Sequence, residues 1–352
     1  MLKEKSVIRA VKKTVLSFAF VGLCAVFFSC SKNNKSVLSF EAMDTFVSVQ
    51  SYGKNSAAVN QKVRERIVQI ESELSVTKET SDVYRINHAE NFPVTVSDDT
   101  KNVLLFSLDI AEKTSGALNP ALYPVTSAWG FTKDEFRVPS ENEIKTLLPL
   151  CDFKKVSVSE NSVSIEKNMA LDLGAVGKGF AGDEAVKLYV DEGIKSALLD
   201  LGGNIQALGK KPDGSLWNVG IKSPFTGEVC ASVKICDRAV ITSGGSERYF
   251  FTADSKRYIH IFDSSTGRPA ESGLSSATVI TERGLYGDSL STALFVLGKE
   301  KSCDLWKKYH DFEMILITEK NEIYYTEGLS ECISFYDNFS KNEMIVKESA
   351  KQ

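Results

Sequence analysis

An α+β fold with largely antiparallel sheet is the class this sequence predicts, and three observations predict it. Helix-spaced apolar residues organise the first third, short alternating β-branched runs dominate the rest, and brief turn signals separate several of those runs. At 352 residues the chain is long enough for one large two-lobed domain, or two small domains, around a sizeable core. Its 43% hydrophobic and 25% charged content excludes a disordered or low-complexity chain.

The N-terminus reads as an address rather than as part of that fold. Lys3, Lys5, Arg9, Lys12 and Lys13 precede Val15–Phe28, an uncharged run of 14 residues. As a helix that run would be about 21 Å long, short of a ~30 Å bilayer core, so a secretory hydrophobic region fits better than a spanning helix. Phe28-Ser29-Cys30-Ser31 then resembles a bacterial lipoprotein processing site, the alternative being a soluble secreted protein with an incidental Cys. The expected organisation is a signal peptide over 1–29, a lipidated Cys30 with a polar tether to 38, a folded domain over 39–340 and a polar tail over 341–352. Acyl chains on Cys30 would hold the protein on the periplasmic side of the inner membrane.

Without residues 1–29 the chain carries 37 Lys and Arg against 45 Asp and Glu, a net of −8, which leaves no electrostatic footprint for nucleic acid. Three His and seven dispersed Cys do not make the clustered soft ligands of a zinc site. Cys230 and Cys236 sit in one β-patterned run about 20 Å apart, beyond disulfide reach, and read as small buried apolar residues.

Element by element, a strand at Thr45–Tyr52 leads to a helix over 56–74, where Val59, Val63, Ile67, Ile70 and Leu74 share one face. Ser97 opens a second helix through Lys113, and Ser140 with Glu143 forms a capping box for a short third. Strands are then predicted at Lys155–Ser159, Ser162–Glu166, Ala197–Leu201, Trp217–Lys222, Ala231–Cys236, Ala239–Thr242, Arg257–Phe262, Ser275–Thr281, Glu313–Thr318 and Glu322–Tyr325. Helices at Phe180–Asp191, at Gly287–Val296 and after Lys299 interrupt them. Glu160-Asn161 and Lys211-Pro-Asp-Gly214 read as hairpin turns.

Three segments carry candidate chemistry. In MALDLGAVGKGFAGD (169–183) a strand is expected to end at Leu171-Asp172-Leu173, followed by four glycines and a helix. Free amides at such a helix start favour phosphate and Lys178 adds a point charge, although a plain strand-to-helix turn accounts for the same residues. In GDSLSTA (287–293) Asp288 and Thr292, four apart, would put a carboxylate and a hydroxyl on one helix face for a small hard cation. An Asp stabilising a helix dipole and a Thr bonded to its own backbone read equally well there. In YIHIFDSSTGRP (258–269) His260 ends a strand near Asp263, where it could take a proton from a hydroxyl near neutral pH or be structural.

Together with AMDT (42–45), SGALNP (115–120), DLGGN (200–204) and SGGSERYF (243–250), these segments resemble, in this order, the ApbE family of FAD:protein FMN transferases from about Ala42 to Gly328. The resemblance implies a two-lobed, T-fold-like α+β domain, FAD as substrate, Mg2+ as cofactor, and an acceptor protein whose Thr or Ser hydroxyl receives FMN as AMP leaves. It implies that Met43, Ala117, Leu118 and Asn119 flank the flavin nucleotide, that Asp172 and Lys178 bind FAD, and that Phe262 is a further FAD contact. Metal ligation would fall to the Ala175 carbonyl, the Asp288 carboxylate and the Thr292 hydroxyl, with Ser291 where some relatives carry an Asp ligand. Thr77 falls where many relatives have a Tyr covering FAD, and His260 would be the base. The alternatives are an FAD pyrophosphatase, with water replacing the acceptor, and a flavin-binding lipoprotein without chemistry.

Overall fold

The computed structural model describes residues 34–132, 135–336 and 343–347, so the expected signal peptide and Cys30 lie outside the described residues. β1 (Lys35–Ala42) and β2 (Thr45–Tyr52) form the first hairpin, closed by Met43 and Asp44, both at a φ of 55°. The first strand therefore begins inside the stretch expected as tether, because Leu38 and Phe40 pack against the core. α1 (Ser56–Leu74) buries the five residues whose spacing predicts it. After α2 (Asp82–Asn87) and β3 (Val94–Thr95), α3 (Asp98–Lys113) starts where Ser97 Oγ accepts the Thr100 N–H at 3.1 Å. α4 (Tyr123–Ala128) and α5 (Glu141–Leu147) follow, the latter capped by Ser140 Oγ, which accepts the Glu143 N–H at 3.2 Å. β4 (Ser157–Ser159) and β5 (Ser162–Ser164) pair through the Glu160-Asn161 turn, as expected.

The expected strand at Leu171–Leu173 does not form. Its backbone groups are satisfied elsewhere: Leu171 N–H donates to Asn87 Oδ1 at 2.7 Å, Asn87 Nδ2 to Leu171 O at 2.8 Å, and Asp172 N–H to Pro120 O at 2.8 Å. α6 (Gly174–Asp191) begins six residues before Phe180, where the sequence places it. Its glycines cost about 1 kcal/mol each relative to Ala, but Val176, Phe180, Ala181, Ala185 and Tyr189 are buried on it, and burial of a large apolar side chain contributes about 1.5–3 kcal/mol.

The remaining elements complete one large sheet and build three smaller ones. β6 (Ser196–Leu201), β7 (Asn204–Leu208), β8 (Trp217–Lys222), β9 (Val229–Ile235) and β10 (Ala239–Gly244) lead to two short hairpins. These are β11 (Tyr249–Phe251) with β12 (Arg257–Ile259), and β13 (Phe262–Asp263) with β14 (Arg268–Pro269). The expected single strand over Arg257–Phe262 is thus split between two sheets, with His260 at the joint. β15 (Leu274–Thr281), α7 (Gly284–Tyr309), β16 (Glu313–Thr318), β17 (Ile323–Thr326), β18 (Ile333–Phe335) and β19 (Glu343–Val346) complete the described chain. β19 occupies part of the expected polar tail and pairs parallel to β17. The Lys211–Gly214 turn forms, yet the strands on either side of it belong to different sheets and do not pair.

The sheet order is β1-β2-β6-β7-β10-β15-β16-β17-β19, antiparallel except at its last pair. Both faces of its centre are covered, and period-two alternation divides the side chains between them. Ala277, Val279, Met314 and Leu316 meet Leu290, Leu294 and Phe295 of α7, whereas Ile280, Ile315 and Ile317 meet Trp217 and Val233 of the β8-β9-β18 sheet. Against this α+β frame α6 packs on both α1 and α7, so the start of α6 and the first turns of α7 meet beside the Ser243 end of β10. The five cysteines of the described residues are free, with Cys230 buried and Cys236 half-buried.

Candidate functional site

A close helix crossing builds the site. A Cβ at Gly179 would overlap the Gly284 carbonyl and lie 2.6 Å from Asp288 Cβ, so only glycine lets α6 reach α7 there. Asp183 of α6 then accepts the Gly284 N–H at 2.6 Å and the Leu285 N–H at 3.0 Å. This borrowed cap starts α7 three residues before Gly287, where sequence alone places it. The two expected C-terminal helices are one element broken at Gly298, whose φ is 76°.

Asp288 is 4% exposed and has no ion pair among the described residues. Its Oδ2 accepts the Gly179 N–H at 2.8 Å and its Oδ1 accepts Asn204 Nδ2 at 2.9 Å. Burial pushes its pKa up, opposed first by the Lys178 charge and then by the Gly179 amide. Ala175 lies four residues, about one turn, before Gly179 on α6, the residue whose amide Asp288 accepts. Ser243 Oγ lies 3.2 Å from Thr292 Oγ1 and 2.8 Å from Ser291 Oγ, and Ser291 donates to Asp288 O at 3.0 Å. Ser291 is thus tied into its own helix, while Thr292 stays half-buried at the site.

Lys178 forms no hydrogen bond or ion pair among the described residues, yet its charge acts on Asp288, Glu247 and His260. Glu247 is pushed up by desolvation, opposed by Lys178 and reinforced by Asp288. Asp172 Oδ1 accepts the Gly174 N–H at 2.8 Å; desolvation raises its pKa, and Gly174 and then Arg248 oppose this. His260 Nδ1 is 3.1 Å from the Arg248 carbonyl, which can only accept, so Nδ1 carries the proton and Nε2 keeps a lone pair. Burial, then the charges of Arg248 and Lys178, pull His260 down to about 4 against the Arg248 hydrogen bond. His260 is thus held below the ordinary imidazole range while its Nε2 lone pair stays available to accept a proton.

Not every residue carried by the resemblance presents its side chain here. Asn119 donates from Nδ2 to Cys151 O at 2.8 Å and accepts the Ala121 N–H at 2.9 Å, and Ala117 and Leu118 are buried, so this turn offers backbone. The Phe262 ring packs 5.6 Å from Trp129 and 5.7 Å from Phe131, beneath the site. Met43 Cε lies 3.6 Å from where a Gly177 Cβ would be, at the start of α6. Thr77 is exposed after α1, its hydroxyl 3.1 Å from Ser75 Oγ. Conversely, Asp183, Asn204, Ser243, Glu247 and Arg248 hold or face the site without being singled out from sequence; each lies inside one of the quoted motifs. A cavity of about 520 Å³ lined by Arg238, Arg283, Tyr286 and Asp311 contains none of these residues.

Among the described residues no three His, Cys, Asp or Glu cluster as a metal site. The donor set is one buried carboxylate, a carbonyl and a hydroxyl, all hard oxygen, beside a lysine and a helix start. Hard oxygen donors beside a cationic side chain and a helix start are chemistry that phosphate groups and small hard cations accept.

Comparison with known proteins places the chain within one family. The ApbE family model matches residues 43–316, and the chain belongs to that family. It is 35% identical to the FAD:protein FMN transferase of Treponema pallidum (strain Nichols), over 83% of this chain and 87% of that protein. It is 31% identical to the protein of the same name from Escherichia coli (strain K12), over 83% and 86%. The crystal structure of the ApbE protein from Thermotoga maritima superposes with a TM-score of 0.80 at 31% identity, covering 85% of this chain and 99% of that one. The flavin transferase ApbE from Vibrio cholerae, at 23% identity and a TM-score of 0.77, shares the fold.

Proposed function

We propose that this protein is a Mg2+-dependent FAD:protein FMN transferase, which joins FMN from FAD to a Thr or Ser hydroxyl of an acceptor protein through a phosphoester and releases AMP. The observation that carries this reading is the buried Asp288 carboxylate, which has no ion pair among the described residues, accepts the Gly179 amide in the glycine-rich first turns of α6 and feels the Lys178 charge. The relatives named FAD:protein FMN transferase supply the substrate class.

A hard cation fits this donor set: each Asp288 oxygen keeps a lone pair beyond its one hydrogen bond, and a desolvated carboxylate without a cationic partner is costly. Asp288, Ala175 O and Thr292 would hold Mg2+, which when bound neutralises pyrophosphate oxygens. Lys178 sets a point charge against the same oxygens, and the α6 amides bind phosphate. Asp172, Met43 and the backbone of Ala117–Asn119 border the nucleotide. The acceptor hydroxyl oxygen attacks the FMN-side phosphorus, the bond to the AMP oxygen breaks in line, and the hydroxyl proton passes to His260 Nε2.

A second reading, FAD pyrophosphatase, replaces the hydroxyl with water; the exposed Thr77, where the family resemblance puts a covering Tyr, favours it. Mass spectrometry of FAD and Mg2+ incubated with the protein, with and without a Thr-containing acceptor, separates the two. For the N-terminus the reading remains a lipid anchor on Cys30 at the periplasmic face of the inner membrane.

A further inference from the structure

The β11–β12 hairpin is not explained by nucleotide chemistry. Its register pairs Tyr249 with Ile259, Phe250 with Tyr258 and Phe251 with Arg257, and the His260 N–H donates to Arg248 O at 3.2 Å to extend it by one step. Strand alternation gives the hairpin two unlike faces. Phe250 and Tyr258 point inward and pack on Phe131 at 5.6 Å and Trp129 at 5.2 Å. Tyr249 and Phe251 point outward, 45% and 61% exposed, in an edge-to-face pair with Arg257 4.2 Å over the Tyr249 ring. They account for two of the six exposed large aromatics among the described residues; Phe136, also exposed, stacks 5.2 Å from the inward-facing Phe250. Adjacent exposed aromatics with an arginine over one ring are the composition of a recognition surface.

Two further features say what it recognises. β11 and β12 form a two-stranded sheet, so among the described residues each has an edge with no further strand on it. At the turn end of the hairpin Lys256 and Arg257 also stand against Asp254, on a chain of net charge −4. The hairpin ends at His260, where the attacking hydroxyl must arrive.

We propose that the outer face of this hairpin docks the acceptor protein: an extended, acidic segment adds to the hairpin edge and packs on Tyr249 and Phe251, delivering its Thr or Ser hydroxyl to His260. This rests on the transferase reading and specifies its partner. The test compares wild type with the double variant Tyr249→Ser/Phe251→Ser and with Lys256→Glu, using as probe a Thr-containing polypeptide to which the wild-type protein attaches FMN. The KM for that polypeptide rises about tenfold or more in the double variant and less in Lys256→Glu, where it also loses its salt dependence. FAD affinity, acceptor-free AMP release and thermal midpoint stay at wild-type values. An unchanged acceptor KM overturns the proposal, as does a loss confined to self-association or to binding of anionic lipid vesicles. A wild-type protein that releases AMP from FAD but modifies no Thr- or Ser-containing polypeptide overturns the transferase reading, and the docking proposal with it.

Discussion

The Asp183 carboxylate, midway along α6, accepts the backbone N–H of Gly284 at 2.6 Å and so serves as the N-terminal cap of α7. Asp288 lies one turn further on, so this bond sets the register between the Lys178 and Ala175 side of the site and the Asp288 and Thr292 side. Asp183→Ala leaves two amides without their acceptor, and loss of a cap costs about 0.5–2 kcal/mol. We expect a lower melting temperature together with a raised Mg2+ midpoint for FAD cleavage, partly rescued in Asp183→Asn. A stability loss with an unchanged Mg2+ midpoint would detach the cap from the site.

Asp288→Asn keeps the shape of the carboxylate and removes a buried charge. Without metal the variant should be at least as stable as wild type, because desolvation already penalises the ionised form. Mg2+-dependent FAD cleavage should be abolished, and Mg2+ should no longer raise the melting temperature. Equal turnover and equal Mg2+ midpoints in variant and wild type would remove Asp288 from the metal site.

The parts of this arrangement legible in the sequence were those written in local patterns. Apolar spacing marked α1 to the residue, Ser97 marked the start of α3, and period-two runs marked β2, β8 and β16. What escaped was set by distant partners. α6 starts at Gly174 rather than Phe180 because tertiary burial outweighs glycine's poor propensity, and α7 starts at Gly284 because a carboxylate about a hundred residues earlier in the chain caps it. Leu171–Leu173 has a strand's composition, yet Asn87 and Pro120 take its hydrogen bonds. Asp288 and His260 were legible as candidates in their own segments, where the motif resemblance gave them roles; the pull of Lys178 and Arg248 on His260 came only from the fold.

His260 links protonation to substrate. In the free protein, burial and the nearby cations hold it down to about 4. Pyrophosphate bound against Lys178 offsets one of those charges, so FAD should raise the His260 pKa toward its ordinary value of about 6.5. An NMR titration of the imidazole with and without FAD, in the absence of divalent metal, reads this directly. A free-protein midpoint near neutrality, or no upward movement with FAD, contradicts it. The sign for stability follows: between about 4 and about 6.5 the unfolded chain binds a proton that the fold refuses, so acidification through that window destabilises the protein.

Cys30 lies outside the described residues, and its role rests on the Phe28–Ser31 pattern. Expressed with its N-terminus, Cys30→Ser should lose its lipid mass and move from the detergent phase to the aqueous phase. Equal partitioning of variant and wild type would leave only a secreted or signal-anchored protein.

The central claim is that FMN leaves AMP for a polypeptide hydroxyl, and one time course tests it: AMP, free FMN and acceptor-bound FMN counted in the same Mg2+ reaction, with wild type and His260→Ala. Wild type should give one acceptor-bound FMN for each AMP, and His260→Ala should lose acceptor-bound FMN more than it loses AMP release. AMP matched by free FMN whether or not acceptor is present would contradict the account and make the protein a hydrolase.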